Sequence, residues 1–120
     1  MKKLEVRSKV WLEVEGEPLL GRGRELLLRL IDRNGSISAA ARSMGITYRK
    51  AWSHLERMEK HLSFPLVNRQ KGGARGGRTT LTEEARCLLG RFEELQSGIQ
   101  EFVDGKFSSG FRKTEKKQRR

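Results

Sequence analysis

The sequence predicts a single mainly α-helical domain with small β elements, and three observations support this prediction. Apolar and polar residues alternate near the start of the chain, helical periodicity begins at Arg22, and an apolar seam runs from Ala85 to Phe102. The chain has 120 residues, of which 35% are hydrophobic, and this is enough for one modest core. We expect residues 1–105 to form the domain and residues 106–120 to form a basic, disordered tail.

The first predicted element is an N-terminal β-hairpin. From Leu4 to Val14 the even positions are apolar except for Ser8, and the odd positions are mostly charged. This period of two is typical of a half-buried strand. The residues Glu15–Pro18 (EGEP) indicate a turn, and the Leu-Leu-Gly that follows favours a short return strand.

Two helices are predicted next. The run Arg22–Asn34 places its aliphatic residues on one stripe, and the Asn-Gly at its end is a typical stop signal. A second, short helix is expected to begin after Ser36 or Ser38, either of which suits an N-cap. Gly45 can adopt the left-handed conformation that ends such a helix.

Thr47 is the expected N-cap of a third helix, whose apolar residues share a narrow band at about 100° per residue. That band consists of Ala51, Leu55, Met58 and Leu62. A helix, a tight turn with glycine and a further helix form the helix-turn-helix plan, in which the second helix enters a DNA major groove. The alternative is an ordinary helical core with a solvated outer face. The polar face of the third helix carries Arg49, Ser53, Glu56, Arg57 and Lys60.

A second hairpin is predicted after Pro65, which ends the third helix. The segments "PLVNR" and "RTTL" are typical of short strands, and "QKGGARGG" joins them. The tip is rich in glycine and contains basic residues but no Asp or Glu, so it can follow a phosphate backbone or enter a minor groove. The alternative is a flexible surface loop with no partner.

Thr82 is the expected N-cap of the last helix, which would be roughly 34 Å long through Asp104 at 1.5 Å per residue. Its apolar residues are spaced 3, 4, 3, 4, 3, as in the a and d positions of a coiled coil. We predict that this helix pairs with its copy in a homodimer, although its first half could instead pack on its own domain. The predicted dimer interface consists of Ala85, Leu88, Phe92, Leu95, Ile99 and Phe102.

Charge indicates a polyanionic partner. Lys and Arg number 26 against 15 Asp and Glu, which gives a formal net charge of +11. Residues 106–120 carry +6 of this charge, so the tail alone could drive non-specific binding of nucleic acid, and an architectural protein is the alternative function. The single cysteine and the lack of an apolar signal or membrane segment favour a cytoplasmic protein.

The sequence contains no convincing catalytic or metal site. "GGARGGRT" nearly matches a phosphate loop, but Arg78 replaces the required lysine and no buried strand precedes it. His54 and His61 are seven residues apart, which does not fit the usual zinc spacing, and Cys87 has no evident base. We therefore predict that the protein is not an enzyme and uses no metal or cofactor.

The stretch from Asn34 to Ala85 resembles the winged helix-turn-helix domain of ModE-type molybdate-responsive regulators and, more distantly, of LysR-type regulators. The resemblance covers roughly residues 8–100 and depends on "GSIS", on Tyr48 followed by "KAW", on "PLV", on the glycine-rich wing and on "LTEEA". It implies a dimeric transcription factor that binds double-stranded DNA with helix three in the major groove and the wing beside it. After Gly105 only the basic tail remains, so we expect no small-molecule ligand domain and carry over no oxyanion sensing.

These considerations define a predicted DNA-binding surface. We expect Arg49 and Ser53 to reach base edges, and Arg57 and Lys60 to reach phosphates. Ser36 and Ser38 would contact the DNA backbone at the start of helix two, and the wing would contribute its basic residues. The full set is Ser36, Ser38, Thr47, Tyr48, Arg49, Lys50, Ser53, Arg57, Lys60, Lys71, Arg75 and Arg78.

Overall fold

A computed structural model describes residues 2–70 and 78–118, and the side chains of 2–68 and 78–111. The chain divides into two compact units: Trp11–Leu89, and Met1–Val10 together with Gly90–Arg120. The larger unit contains two small antiparallel sheets, three helices and the start of a fourth helix. This architecture confirms the predicted mainly α-helical winged helix-turn-helix with small β elements.

The N-terminal hairpin consists of β1 (Leu12–Val14) and β2 (Glu17–Leu20). Glu15 and Gly16 both have positive φ, 49° and 84°, as a two-residue hairpin turn favours. The strand predicted from Leu4 is therefore wrong from Leu4 to Trp11, because a strand needs a partner and β2 is only four residues long.

The helices α1 (Arg22–Asn34), α2 (Ile37–Met44) and α3 (Tyr48–Lys60) follow in the predicted order. Gly35 and Gly45 end α1 and α2 with φ of 69°, in the left-handed region that favours glycine. The capping and stop signals in the sequence therefore predict the positions of these helices correctly.

The core of the larger unit lies between these helices and the two hairpins. Helix α2 contacts both α1 and α3, and the small side chains of Ala40, Ala41 and Ala51 are buried, which allows close packing of the helices. The larger buried aliphatic side chains on α1 and α3 are Leu27, Leu28, Ile31, Leu55 and Met58. Packing therefore fixes which face of α3 points outward.

The second hairpin consists of β3 (Val67–Gln70) and β4 (Arg78–Leu81), paired from Val67↔Leu81 to Gln70↔Arg78. Its predicted tip, with Lys71 and Arg75, lies outside the described residues. The Thr79 amide donates to the Gly35 carbonyl at 2.9 Å, so β4 is joined to the turn between α1 and α2.

Helix α4 runs from Glu83 to Gln118. Thr82 is its N-cap as predicted, because the hydroxyl oxygen accepts from the Ala85 amide at 3.1 Å. The helix does not end near Asp104, as the heptad pattern predicts, but continues through the basic segment. No proline interrupts that segment, and its lysine, glutamate and arginine residues favour helix.

In the smaller unit, the side chain of Gln100 on α4 forms hydrogen bonds with the N-terminal segment. The Gln100 carbonyl oxygen accepts from the Ser8 amide at 2.9 Å and from the Ser8 hydroxyl at 2.7 Å. The Gln100 amide group donates to the Val6 carbonyl at 2.9 Å. A helix side chain thus forms hydrogen bonds that a partner strand would otherwise provide.

Candidate nucleic-acid interface

The outer face of α3 is polar and open to solvent. Ala51, Leu55 and Met58 on the inner face are 0–1% exposed, so the opposite side of the helix must point away from the domain. Among the residues predicted to contact DNA, only Ser53 on this helix is half-buried. The exposed ones are Tyr48, Arg49, Lys50, Arg57 and Lys60.

Two of the predicted contact residues have a structural task. The Ser36 hydroxyl accepts from the Ala39 amide at 3.1 Å, and the Thr47 hydroxyl accepts from the Lys50 amide at 3.0 Å. Both are N-caps, which fix the start of α2 and α3. Each hydroxyl still has a proton to donate. Ser38, on the first turn of α2, is exposed and makes no cap.

Tyr48 and Trp52 form an edge-to-face pair, with ring centroids 6.3 Å apart and planes at 80°. Trp52 is half-buried, whereas 46% of Tyr48 is exposed. The indole thus supports the tyrosine ring at the first turn of α3.

Arg78 lies at the base of the wing and folds back over the turn that ends α1. A β-carbon added to Gly35 would lie 2.8 Å from Arg78 Nη1 and 2.9 Å from Cζ. The guanidinium therefore occupies the space that the missing side chain of Gly35 leaves open. Of the three wing cations predicted to contact DNA, Arg78 is the one in the described part of the chain.

Asp32 links the wing to α1, which the sequence pattern does not indicate. Its carboxylate accepts from the Leu81 amide at 3.2 Å and from Arg86 Nη2 at 2.9 Å. The hydrogen bond from Arg86 lowers the pKa of Asp32, helped by the Leu81 amide, and Asp32 raises the pKa of Arg86. The contact joins α1, β4 and the first turn of α4.

A second group of cations lies where α3 faces α1. Arg24 Nη1 donates to the carbonyls of Pro18 at 2.6 Å and Leu19 at 3.1 Å, and Arg24 Nε donates to His54 Nδ1 at 3.3 Å. Burial lowers the pKa of His54, and Arg24, Lys50 and Arg57 lower it further.

Arg24 and His54 are absent from the predicted surface, because an arginine–histidine contact between α1 and α3 depends on tertiary packing. Their sequence separation of 30 residues carries no periodic signal. His61, the other histidine, bonds through Nε2 to Glu17 at 2.7 Å and joins the end of α3 to β2.

The predicted dimer seam on α4 changes character along its length. Ala85 and Phe92 are 0% and 1% exposed in the single chain, and Leu88 is half-buried. Further along, Leu95, Ile99 and Phe102 are 41%, 38% and 65% exposed. The first part of the seam is thus buried within one chain, as the alternative interpretation expects, and the second part is open. No helix in the described part of the chain is long and apolar enough to cross a membrane.

Two caps, a glycine turn, an outward polar helix and a following hairpin are the features of a winged helix-turn-helix domain. Residues 16–86, more than half of the chain, match the family described as bacterial regulatory helix-turn-helix proteins of the lysR family. The chain therefore belongs to this family.

Within that class the chain is similar to ModE regulators, which confirms the resemblance seen in the sequence. The transcriptional regulator ModE of Haemophilus influenzae is 42% identical over 73 residues, 61% of this chain and 29% of that protein. The DNA-binding transcriptional dual regulator ModE of Escherichia coli K12 is 35% identical over 78 residues, 65% of this chain and 30% of that protein.

A third relative is the molybdenum-pterin-binding protein MopB of Rhodobacter capsulatus, 38% identical over 80 residues. That match covers 67% of this chain and 30% of MopB. The chain thus spans less than a third of the length of these relatives.

Proposed function

We propose that this chain is a sequence-specific DNA-binding transcriptional regulator, with α3 as its recognition helix. The observation that carries the proposal is the arrangement of α3: Ala51, Leu55 and Met58 on its inner face are buried, and its first turns present Arg49 and Ser53 on the opposite side. A helix held in this way can enter a major groove with its side chains directed at base edges. The family match and the ModE relatives support the same function.

Different residues on the surface would have different tasks. Arg49 can form a bidentate contact with guanine, and Ser53 can bond to several bases. Arg57 and Lys60 lie further along α3 and would reach phosphates, as would Lys71, Arg75 and Arg78 of the wing. The Ser36 and Ser38 hydroxyls would contact the backbone at the start of α2.

We further propose that the regulator acts as a homodimer through α4. Leu95, Ile99 and Phe102 follow one another at intervals of four and three residues, and all three are exposed in the single chain. Pairing of two such helices would cover this stripe. Two copies would then read a palindromic site with half-sites about one helical turn apart.

Selection of bound duplexes from random-sequence DNA tests the proposal, because a specific regulator should enrich one palindrome. Arg49→Ala should then reduce the preference for that palindrome over random duplex by roughly tenfold or more, since one good base contact discriminates by about 1–3 kcal/mol. The matched control is Arg29→Ala, which removes the same charge from an exposed position of α1. It should leave the preference unchanged.

The competing function is non-specific binding driven by residues 106–120. Deleting them should weaken binding to selected and random duplexes alike. If the wild-type chain enriches no sequence, or if Arg49→Ala keeps the full preference, recognition by α3 is refuted.

A further inference from the structure

The two long sides of α3 face different parts of the domain. On one side, Glu59 accepts from the Leu66 amide at 2.6 Å, so this side lies against the segment that leads into the wing. The other side carries Lys50, His54 and Arg57 and lies against the start of α1. A helix in a major groove has a phosphate backbone on each side. The wing can serve one backbone, and the side with His54 faces the other.

Arg24 is held in a fixed position on that second side. Its Nη1 donates to two carbonyls of β2, and its Nε donates to His54 Nδ1. A guanidinium has only donors, so His54 Nδ1 must be the unprotonated nitrogen in this contact. The neutral imidazole therefore carries its proton on Nε2.

The proton on His54 Nε2 is available to a ligand. No buried side-chain nitrogen or oxygen in the described part of the chain lacks a hydrogen-bond partner. Nε2 forms no hydrogen bond with the residues that the structure describes, so within this part of the chain the nitrogen must be accessible to solvent. The surrounding charges favour the neutral form, because Arg24 from α1 and Lys50 and Arg57 from α3 all lower the pKa of His54 after burial does. The imidazole is thus a neutral donor among three cations.

We infer that His54 donates a hydrogen bond through Nε2–H to a phosphate of duplex DNA, in the tautomer that Arg24 sets. The inference depends on the proposed function and extends it to the backbone opposite the wing. The three cations attract the phosphate, and the histidine fixes its position without adding charge. His54 is therefore a backbone contact, and Arg24 is a positioning residue that acts through it.

The test measures affinity for two probes: the duplex selected from random-sequence DNA, and a random-sequence duplex of equal length. His54→Ala should weaken binding to both by a similar factor, roughly ten- to a hundredfold, as expected for loss of one hydrogen bond to a charged acceptor. His54→Gln should restore most of the affinity, because its amide nitrogen can occupy the place of Nε2. Circular dichroism and thermal unfolding establish that both variants are folded.

Salt dependence separates this role from that of a cation. Because the imidazole is neutral, His54→Ala should leave the slope of log affinity against log salt unchanged, whereas Arg57→Gln should reduce it by about one. The ratio of wild-type to His54→Ala affinity should also stay constant from about pH 7.5 to about pH 8.5, because a histidine whose pKa is lowered from about 6.5 is neutral there. Imidazole ¹⁵N spectra should show the Nε2–H tautomer in the free protein and a shifted Nε2–H signal in the complex.

Wild-type-like binding by His54→Ala, or binding by His54→Gln as weak as that of His54→Ala, would overturn the inference. A changed salt slope in His54→Ala would also overturn it, as would an Nδ1–H tautomer of His54 in the free protein. These results leave the proposed function intact if the wild-type chain binds both probes and prefers the selected one. A wild-type chain that binds neither probe refutes the proposed function itself.

Discussion

Removing the carboxylate of Asp32 should loosen the wing from α1 and destabilise the fold. Two interactions are lost in Asp32→Ala. The first is the bond from the Leu81 amide at 3.2 Å, whose loss leaves the donor of a buried residue unpaired and costs about 1–2 kcal/mol. The second is the ion pair with Arg86 at 2.9 Å, whose contribution is small because solvent screens two side chains that are 34% (Asp32) and 47% (Arg86) exposed. We therefore expect Asp32→Ala to lower the free energy of unfolding by about 2 kcal/mol.

Urea unfolding followed by circular dichroism measures this loss at one fixed protein concentration, which keeps any dimer contribution constant. Asp32→Asn should cost about 1 kcal/mol, because its amide oxygen can still accept from the Leu81 amide. Arg86→Ala should cost clearly less than Asp32→Ala, because it removes only the solvent-screened ion pair. The double variant Asp32→Ala/Arg86→Ala should cost little more than Asp32→Ala, since the pair is already broken.

The stabilisation that the Asp32 carboxylate provides should also depend on pH. The pKa of Asp32 is lowered in the folded state, so the carboxylate stabilises the protein fully above its unfolded pKa of about 3.9. This contribution is lost as the pH falls through the folded value. The difference in stability between wild type and Asp32→Ala should thus shrink below about pH 4. If Arg86→Ala proves as costly as Asp32→Ala, the Leu81 bond contributes nothing and the reasoning is refuted.

Two further predictions concern a turn and the dimer seam. Gly35→Ala should cost about 1–2 kcal/mol by urea unfolding, because alanine is strained at φ 69° and its β-carbon would displace the Arg78 guanidinium. Gly45→Ala has the same φ in open space, so it should cost less, and equal costs would show that the Arg78 contact is unimportant. Ile99→Glu should raise the dimer dissociation constant at least about tenfold in sedimentation equilibrium, because it buries a charge in the seam. Ser97→Glu, at an exposed position off the seam, should not, and a monomeric wild type would contradict the proposed dimer.

The helix boundaries could be predicted from sequence because local chemistry decides them. Ser36, Thr47 and Thr82 cap three helices through their own hydroxyls, and Gly35 and Gly45 end two helices in a conformation that few other residues adopt. The buried band of α3 was predictable for a similar reason, since helical periodicity alone separates its inner and outer faces.

The contacts that position the wing and the second side of α3 depend on tertiary packing, so sequence patterns did not reveal them. Asp32 and Leu81 are 49 residues apart, and Arg24 and His54 are 30 apart. Each pair forms only when α1 packs against a later element. The end of α4 was mispredicted because the apolar heptads stop near Phe102, whereas the helix continues to Gln118 through the weak helix formers of Gly105–Gly110, with no proline to end it.

The turn after α1 explains how a small domain can fix the position of the wing relative to the helix-turn-helix. The Gly35 amide donates to the Ile31 carbonyl at 2.8 Å and so ends α1, while the Gly35 carbonyl accepts from Thr79 of β4 at 2.9 Å. The next residue, Ser36, caps α2, which leads through one short turn to α3. The wing strand and the helix-turn-helix are thus joined at adjacent residues of one turn. Because a side chain at position 35 would meet Arg78, this turn requires glycine for close approach as well as for its φ.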